Sequence, residues 1–98
     1  MEILLVCNAG MSTGIMKLRL EKELEKRNLG GSVKAVALVE IDDYIKDAEV
    51  ILLGPQIRFA LKDITAKADG KLTMLIAPQD FGAMNATKVM DDILKQLS

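Results

Sequence analysis

The stretch Cys7-Asn8-Ala9-Gly10-Met11-Ser12-Thr13-Gly14 gathers a thiol, two hydroxyls and two glycines between an apolar run and a long segment of good helix formers. Ile3-Leu4-Leu5-Val6 precedes it, and the helical segment begins near Ser12. A strand, a glycine-bearing loop and a helix start form an anion cradle, because loop amides point inward and the helix dipole adds positive potential. A thiol at the rim of such a cradle is expected to be held partly as thiolate and to titrate below the free-thiol value of about 8.5. The chemistry expected is phosphoryl carriage on Cys7. The amides of Asn8, Ala9, Gly10, Met11, Ser12, Thr13 and Gly14 would bind the phosphate oxygens, with the Ser12 and Thr13 hydroxyls assisting. Two plainer readings stand beside this one: Cys7 as a core cysteine ending a strand, and Ser12 as a helix cap.

The spacing separates this loop from better-known phosphate binders. No GK[ST] follows the glycines and no GxGxxG is present, so neither a Walker loop nor a dinucleotide fingerprint is indicated. Cysteine-dependent phosphatases place an arginine six residues after the nucleophile; here that position is Thr13. The chain contains no histidine, which excludes an internal Cys-His pair, a phosphohistidine carrier and the usual Cys/His zinc sites. No cofactor or metal is expected. A lone cysteine forms no internal disulfide or CxxC pair.

The 98 residues suit one domain spanning 1–98, with an aliphatic, methionine-rich core, since Tyr44, Phe59 and Phe81 are the only aromatics. A net charge of −1, with no basic block or stacking platform, argues against nucleic-acid binding. The apolar runs are strand length, so no membrane insertion is expected, and no signal peptide is expected because the N-terminus runs straight into a strand-like segment. These points favour the cytoplasm.

The elements that must position Cys7 follow from patterning. Residues 2–7 and Val50-Ile51-Leu52-Leu53 read as strands buried on both faces, whereas Val33–Val39 and Leu72–Ala77 are mixed and read as outer strands. A helix is expected from Ser12 to Asn28. Met16, Leu20 and Leu24 form its stripe, Ile15 and Leu18 widen it, and Glu23/Arg27 make an exposed pair; Asn28-Leu29-Gly30-Gly31 stops it. Ile41–Lys46 reads as a short helical turn. Pro55 opens a helix with Ile57, Ala60, Leu61, Ile64 and Ala68 on one face, closed by Asp69-Gly70. Pro78–Gly82 reads as a loop. Asn85 caps a last helix that buries Val89, Met90, Ile93, Leu94 and Leu97.

Strands alternating with helices imply an open α/β fold: a single four-stranded parallel sheet of order 2-1-3-4 flanked by helices, similar to the low-molecular-weight tyrosine phosphatases. Ligands of such sheets bind where the strand order reverses, beyond the carboxyl ends of strands 1 and 3. Cys7 ends the first strand and Gly54-Pro55-Gln56 follows the third, so the loop and the topology indicate the same place. Gln56 and Asp80 are further candidates at this edge. Arg58 reads as part of a solvated helix face, and Asp80 as a turn residue bonding its own backbone.

Cys7-Asn8-Ala9-Gly10-Met11-Ser12-Thr13 resembles the phosphorylation loop of enzyme IIB of the bacterial phosphotransferase system, lactose/cellobiose (chitobiose) class. Leu52-Leu53-Gly54-Pro55-Gln56 resembles that family's third-strand segment, and Asp80-Phe81-Gly82 with Met84-Asn85 its loop after strand four. Asn8 stands where serine is common and Phe81 where tyrosine is common. The resemblance implies a protein-phosphohistidine–sugar phosphotransferase component. In it Cys7 accepts phosphate from a phosphohistidine on a separate enzyme IIA and passes it to a sugar, of the disaccharide kind, held by the membrane permease enzyme IIC. Two other classes stay open at this point. One is a cysteine-dependent phosphatase or arsenate-reductase-like enzyme, which would turn over aryl phosphates. The other is a non-enzymatic regulatory binding module, which would accept no phosphate.

Overall fold

Because Ile3, Leu4, Leu5 and Val6 are all apolar, the strand they form can only sit inside a sheet covered on both faces. In the computed structural model, which describes residues 1–8 and 11–98 and no side chains for Met11 and Ser12, that strand is β1 (Glu2–Cys7). Its neighbours are β2 (Ser32–Ala37) and β3 (Val50–Leu53), and β4 (Leu72–Leu75) completes the sheet. All pairings are parallel and the order is β2-β1-β3-β4, as the sequence indicates. The register sets Cys7 directly beside Ala37 and Val6 beside Leu53.

Alternation along β1 divides the core. Ile3, Leu5 and Cys7 face α1 (Met11–Lys26) and α4 (Ala86–Leu97), packing on Met16, Leu20, Leu24, Val89, Met90 and Ile93. Leu4 and Val6 face α2 (Leu61–Ala68) and the 3-10 helices Leu38–Asp43, Ile45–Asp47 and Pro55–Ala60. The expected second strand therefore ends two residues early, because Leu38 and Val39 turn into a 3-10 helix, and the fourth ends at Leu75. Pro78–Gly82, expected as a loop, is a short helix, α3, with Pro78 at its first turn and Phe81 buried.

The end of α1 shows why Asn28-Leu29-Gly30-Gly31 stops a helix. Asn28 adopts φ 55°, its amide bonds Glu25 O at 3.1 Å, and the Leu29 amide reaches back to Leu24 O at 2.9 Å. This is the Schellman arrangement, with Leu29 packed on the core beside Leu24. Gly31 then takes φ 94°, where a Cβ would also run into the Met1 backbone.

Three helix expectations are corrected. At 100° per residue only one stripe of α1 can face the sheet. Met16, Leu20 and Leu24 occupy it, and Ile15 and Leu18 point to solvent. Glu23, two turns on from Met16, falls on the same stripe and is buried rather than exposed. In α4, Leu97 lies beyond the last core contact and is exposed.

Glu23 is compensated where it is buried. Its carboxylate accepts from Arg27 Nε at 2.9 Å, Thr87 Oγ1 at 3.1 Å and Lys26 Nζ at 3.4 Å. Arg27 in turn pairs with Asp91 at 2.8 Å, tying α1 to α4. Burial alone would raise the Glu23 carboxyl, but Thr87, Arg27 and Lys26 more than offset it and hold the group below its ordinary value. A depressed carboxyl contributes stability above its unfolded pKa of about 4.3, and that contribution is lost as pH falls through the folded value. Glu23→Gln should therefore cost ~1–3 kcal/mol at neutral pH and almost nothing at strongly acidic pH. Urea unfolding of both proteins at the two pH values measures this; equal losses at both would contradict it.

Candidate functional site

The carboxyl end of β1 delivers Cys7 to the point where the chain's direction of winding reverses, between β1 and β3. The residue is only 4% exposed. Two groups beside its sulfur favour the thiolate: the Thr13 hydroxyl, from the first turn of α1, and the backbone amide of Gly54, which follows β3. The Gly54 amide donates to Val6 O at 2.9 Å, which continues the β1–β3 ladder and keeps this residue beside the thiol. Thr13 is itself 5% exposed, so its hydroxyl is committed to the interior.

Gly54 is a glycine for reasons of space. Its φ of −63° and ψ of 151° suit any residue. A Cβ built there, however, would lie 2.6 Å from Cys7 Sγ and 2.6 Å from Gln56 Oε1. The same contacts put the Gln56 carboxamide beside the thiol, on the β3 side. On the β2 side lies a cleft of about 330 Å³ lined by Cys7, Asn8, Thr13, Gly14, Ala35, Val36, Ala37 and Glu40.

The structure thus brings Thr13 and Gln56 to Cys7, with Asn8 and Gly14 exposed at the mouth of the cleft. Asp80 is not among the described residues that line the cleft. Asp80 sits in the first turn of α3, mostly shielded, with its carboxylate 4.0 Å from Lys88 Nζ and its carbonyl accepting from the Asn85 amide at 2.8 Å. It therefore stands in a short helix rather than in the loop expected for it. Arg58 is exposed on the 3-10 helix Pro55–Ala60. The phosphate-binding parts expected of Ala9 and Gly10, and of the Met11 and Ser12 side chains, lie outside the described residues. Sequence reasoning missed Glu40 and the contact of the Gly54 amide with sulfur. The order 2-1-3-4 holds the signal for both, since the segments after β2 and β3 must flank the end of β1.

The direction of the thiol's titration is a further correction. Burial pushes the Cys7 thiol up from its ordinary value, and the Thr13 hydroxyl and the Gly54 amide pull it only part of the way back. A helix start and a polar loop suggested the opposite, because the depth of the sulfur behind Met16, Leu52 and the ends of two strands is a tertiary property. The unmodified protein should therefore be alkylated with a midpoint above about 8.5. A pH series with iodoacetamide reads this, and a midpoint clearly below that value would contradict it.

Residues 2–92 match the family model described as PTS system, Lactose/Cellobiose specific IIB subunit, and the chain belongs to that family. It is thereby a sugar-specific component of a phosphotransferase system, a phosphoryl-transfer machinery of sugar transport.

Among its relatives, the galactose-specific EIIB component of Lactococcus lactis subsp. cremoris is 30% identical over 95 residues, covering 90% of this chain and 88% of the relative. The cellobiose-specific EIIB component of Lactococcus lactis subsp. lactis matches to the same extent. The solution structure of a cellobiose-specific phosphotransferase IIB component from Borrelia burgdorferi superposes with a TM-score of 0.73 at 36% identity, covering 93% of this chain and 85% of that one. A lactose-specific IIB domain from Streptococcus pneumoniae reaches a TM-score of 0.85 at 13% identity, covering 97% of this chain and 95% of that one, a likeness of fold.

Proposed function

We propose that this protein is the phosphocysteine carrier of its phosphotransferase system. Cys7 takes a phosphoryl group from the phosphohistidine of a separate enzyme IIA and gives it to a sugar, of the disaccharide kind, bound at the permease enzyme IIC. The observation that carries the reading is the setting of the chain's single cysteine: at the switch point, flanked by Thr13 and Gly54, and without a cation beside it among the described residues. Membership of the IIB family supports it.

The chemistry balances with a protonated thiol. Sulfur attacks phosphorus, the S–P bond forms as the P–N bond breaks, and the departing imidazole nitrogen takes up the thiol proton. A neutral thiol of raised pKa is thus matched to a basic leaving group, and no separate base is required. In the second step a sugar hydroxyl attacks phosphorus, the S–P bond breaks, and the sulfur recovers a proton as the hydroxyl loses one. The Thr13 hydroxyl and Gly54 amide stabilise the anionic sulfur passing through each step. The loop amides from Asn8 to Gly14, with the Ser12 hydroxyl, would cradle the phosphate oxygens at the start of α1, each helix-end interaction being worth ~0.3–1 kcal/mol. Gln56 is a donor within reach of the same group. Such transfer needs positioning and charge stabilisation above all.

A sulfur this buried is reached by docking rather than by free collision. Val39 (92% exposed), Phe59 (73%) and Ile15 stand on the segments that leave the ends of β2, β3 and β1, and apolar area at that edge suits two successive protein partners. Among the described residues no helix is long and apolar enough to cross a membrane, in keeping with a carrier that works at the cytoplasmic face beside its permease.

The test is the fate of the phosphorylated protein. No arginine lines the cleft among its described residues, so the adduct should persist at neutral pH without an acceptor and discharge when permease membranes and sugar are added. With its carboxylate turned to Lys88, Asp80 should not matter: Asp80→Asn should leave the lifetime within about twofold. Rapid decay that Asp80→Asn slows would show a working phosphatase and overturn the carrier reading.

A further inference from the structure

Glu40 is the one charged side chain lining the Cys7 cleft among its described residues, and it is an acid where a phosphate site ordinarily presents a base. Its position is held. The Glu40 carboxylate accepts the Ala37 amide at 3.2 Å, and Ala37 is the residue paired with Cys7 across β1 and β2. Neighbouring strands lie about 4.8 Å apart. The carboxylate is therefore anchored one strand away from the cysteine, within about one Debye length of the sulfur at 0.1 M salt.

We propose that Glu40 sets the phosphoryl-transfer potential of this site: its fixed negative charge raises the free energy of phosphocysteine and so favours onward transfer over retention. This rests on the carrier reading. A carrier that held its phosphate dianion with an arginine would bind it well and release it reluctantly. The amide and hydroxyl donors at this site supply orientation, and the carboxylate beside them opposes a deep energy well. The effect acts through space on the bound group, so Glu40 is a tuning and positioning residue, and its bond to Ala37 is the means by which the charge stays in place.

Glu40→Gln separates charge from structure, because a glutamine oxygen still accepts the Ala37 amide. Glu40→Asp keeps the charge. Each protein is mixed with a phosphorylated enzyme IIA of the lactose/cellobiose class, and the phosphoryl group is allowed to equilibrate. Intact mass then gives the partition between the two proteins. At low salt the Glu40→Gln partition should shift toward phosphocysteine by ~3–10-fold relative to wild type, and the gap should close as salt rises toward 1 M. Glu40→Asp should stay near wild type. Wild type and Glu40→Gln partitioning alike at low salt, or Glu40→Asp shifting as far as Glu40→Gln, would overturn the tuning role while leaving the carrier intact. A wild-type protein that takes no phosphate would instead overturn the carrier reading, and the tuning role with it.

Discussion

Gly54→Ala should slow phosphoryl acceptance by at least ~10-fold and destabilise the protein by ~1–3 kcal/mol. The backbone at Gly54 tolerates any residue, so the whole effect comes from the added methyl. That methyl would sit 2.6 Å from Cys7 Sγ and 2.6 Å from Gln56 Oε1, well inside van der Waals contact. Gln56 is exposed and its flexible end can swing away. Cys7 cannot give so easily: its side chain has one rotatable bond to sulfur and is part of the close-packed core that includes Met16, Leu52 and Ile76. Relief of the clash must turn the sulfur away from the Gly54 amide and the Thr13 hydroxyl, the groups that steady its anionic form. A double-mutant cycle isolates the contact. In a Cys7→Ala background the methyl has no sulfur to strike, so the stability cost of Gly54→Ala should fall by more than half. Urea midpoints for the four proteins measure it. An equal cost in both backgrounds would mean that the glycine answers to something other than the thiol.

Cys7→Ser should abolish phosphoryl acceptance while leaving the fold in place. Oxygen replaces sulfur beside the Thr13 hydroxyl, a group the serine hydroxyl can bond, and the stability change should stay within ~1 kcal/mol. A serine hydroxyl is a far weaker nucleophile without a neighbouring base. The chain has no histidine to supply one, and Asp80 is turned to Lys88. Acceptance should fall by at least ~1,000-fold, about 4 kcal/mol of barrier. A serine variant labelled at the wild-type rate would place the acceptor elsewhere.

What was legible in the sequence depended on whether one stretch could decide it. The unbroken runs Ile3–Val6 and Val50–Leu53 admit only central parallel strands, and they carry the sheet order, the switch point and the end-of-strand position of Cys7. Asn28-Leu29-Gly30-Gly31 and Asn85 mark helix ends through local bonds, and both sit where those residue types indicate. Pro78–Gly82 misled because proline and glycine in five residues suggest a loop, whereas proline at a first turn also opens a helix. Glu23 looked like a solvated charge until its partner Thr87, on another helix, was in place. The site divides in the same way. Thr13 was nameable from its distance to Cys7 along the chain. The Gly54 amide, Glu40 on Ala37 and the upward direction of the thiol's pKa all depend on strand pairing and burial that no single segment contains.

The most direct test of the central claim is the intact mass of the wild-type protein after incubation with phosphorylated enzyme IIA of the lactose/cellobiose class. The carrier account predicts the mass of one added phosphoryl group, lost from the spectrum when Cys7 has first been blocked with iodoacetamide. No added mass, or an added phosphoryl group that survives blocking of Cys7, would contradict it.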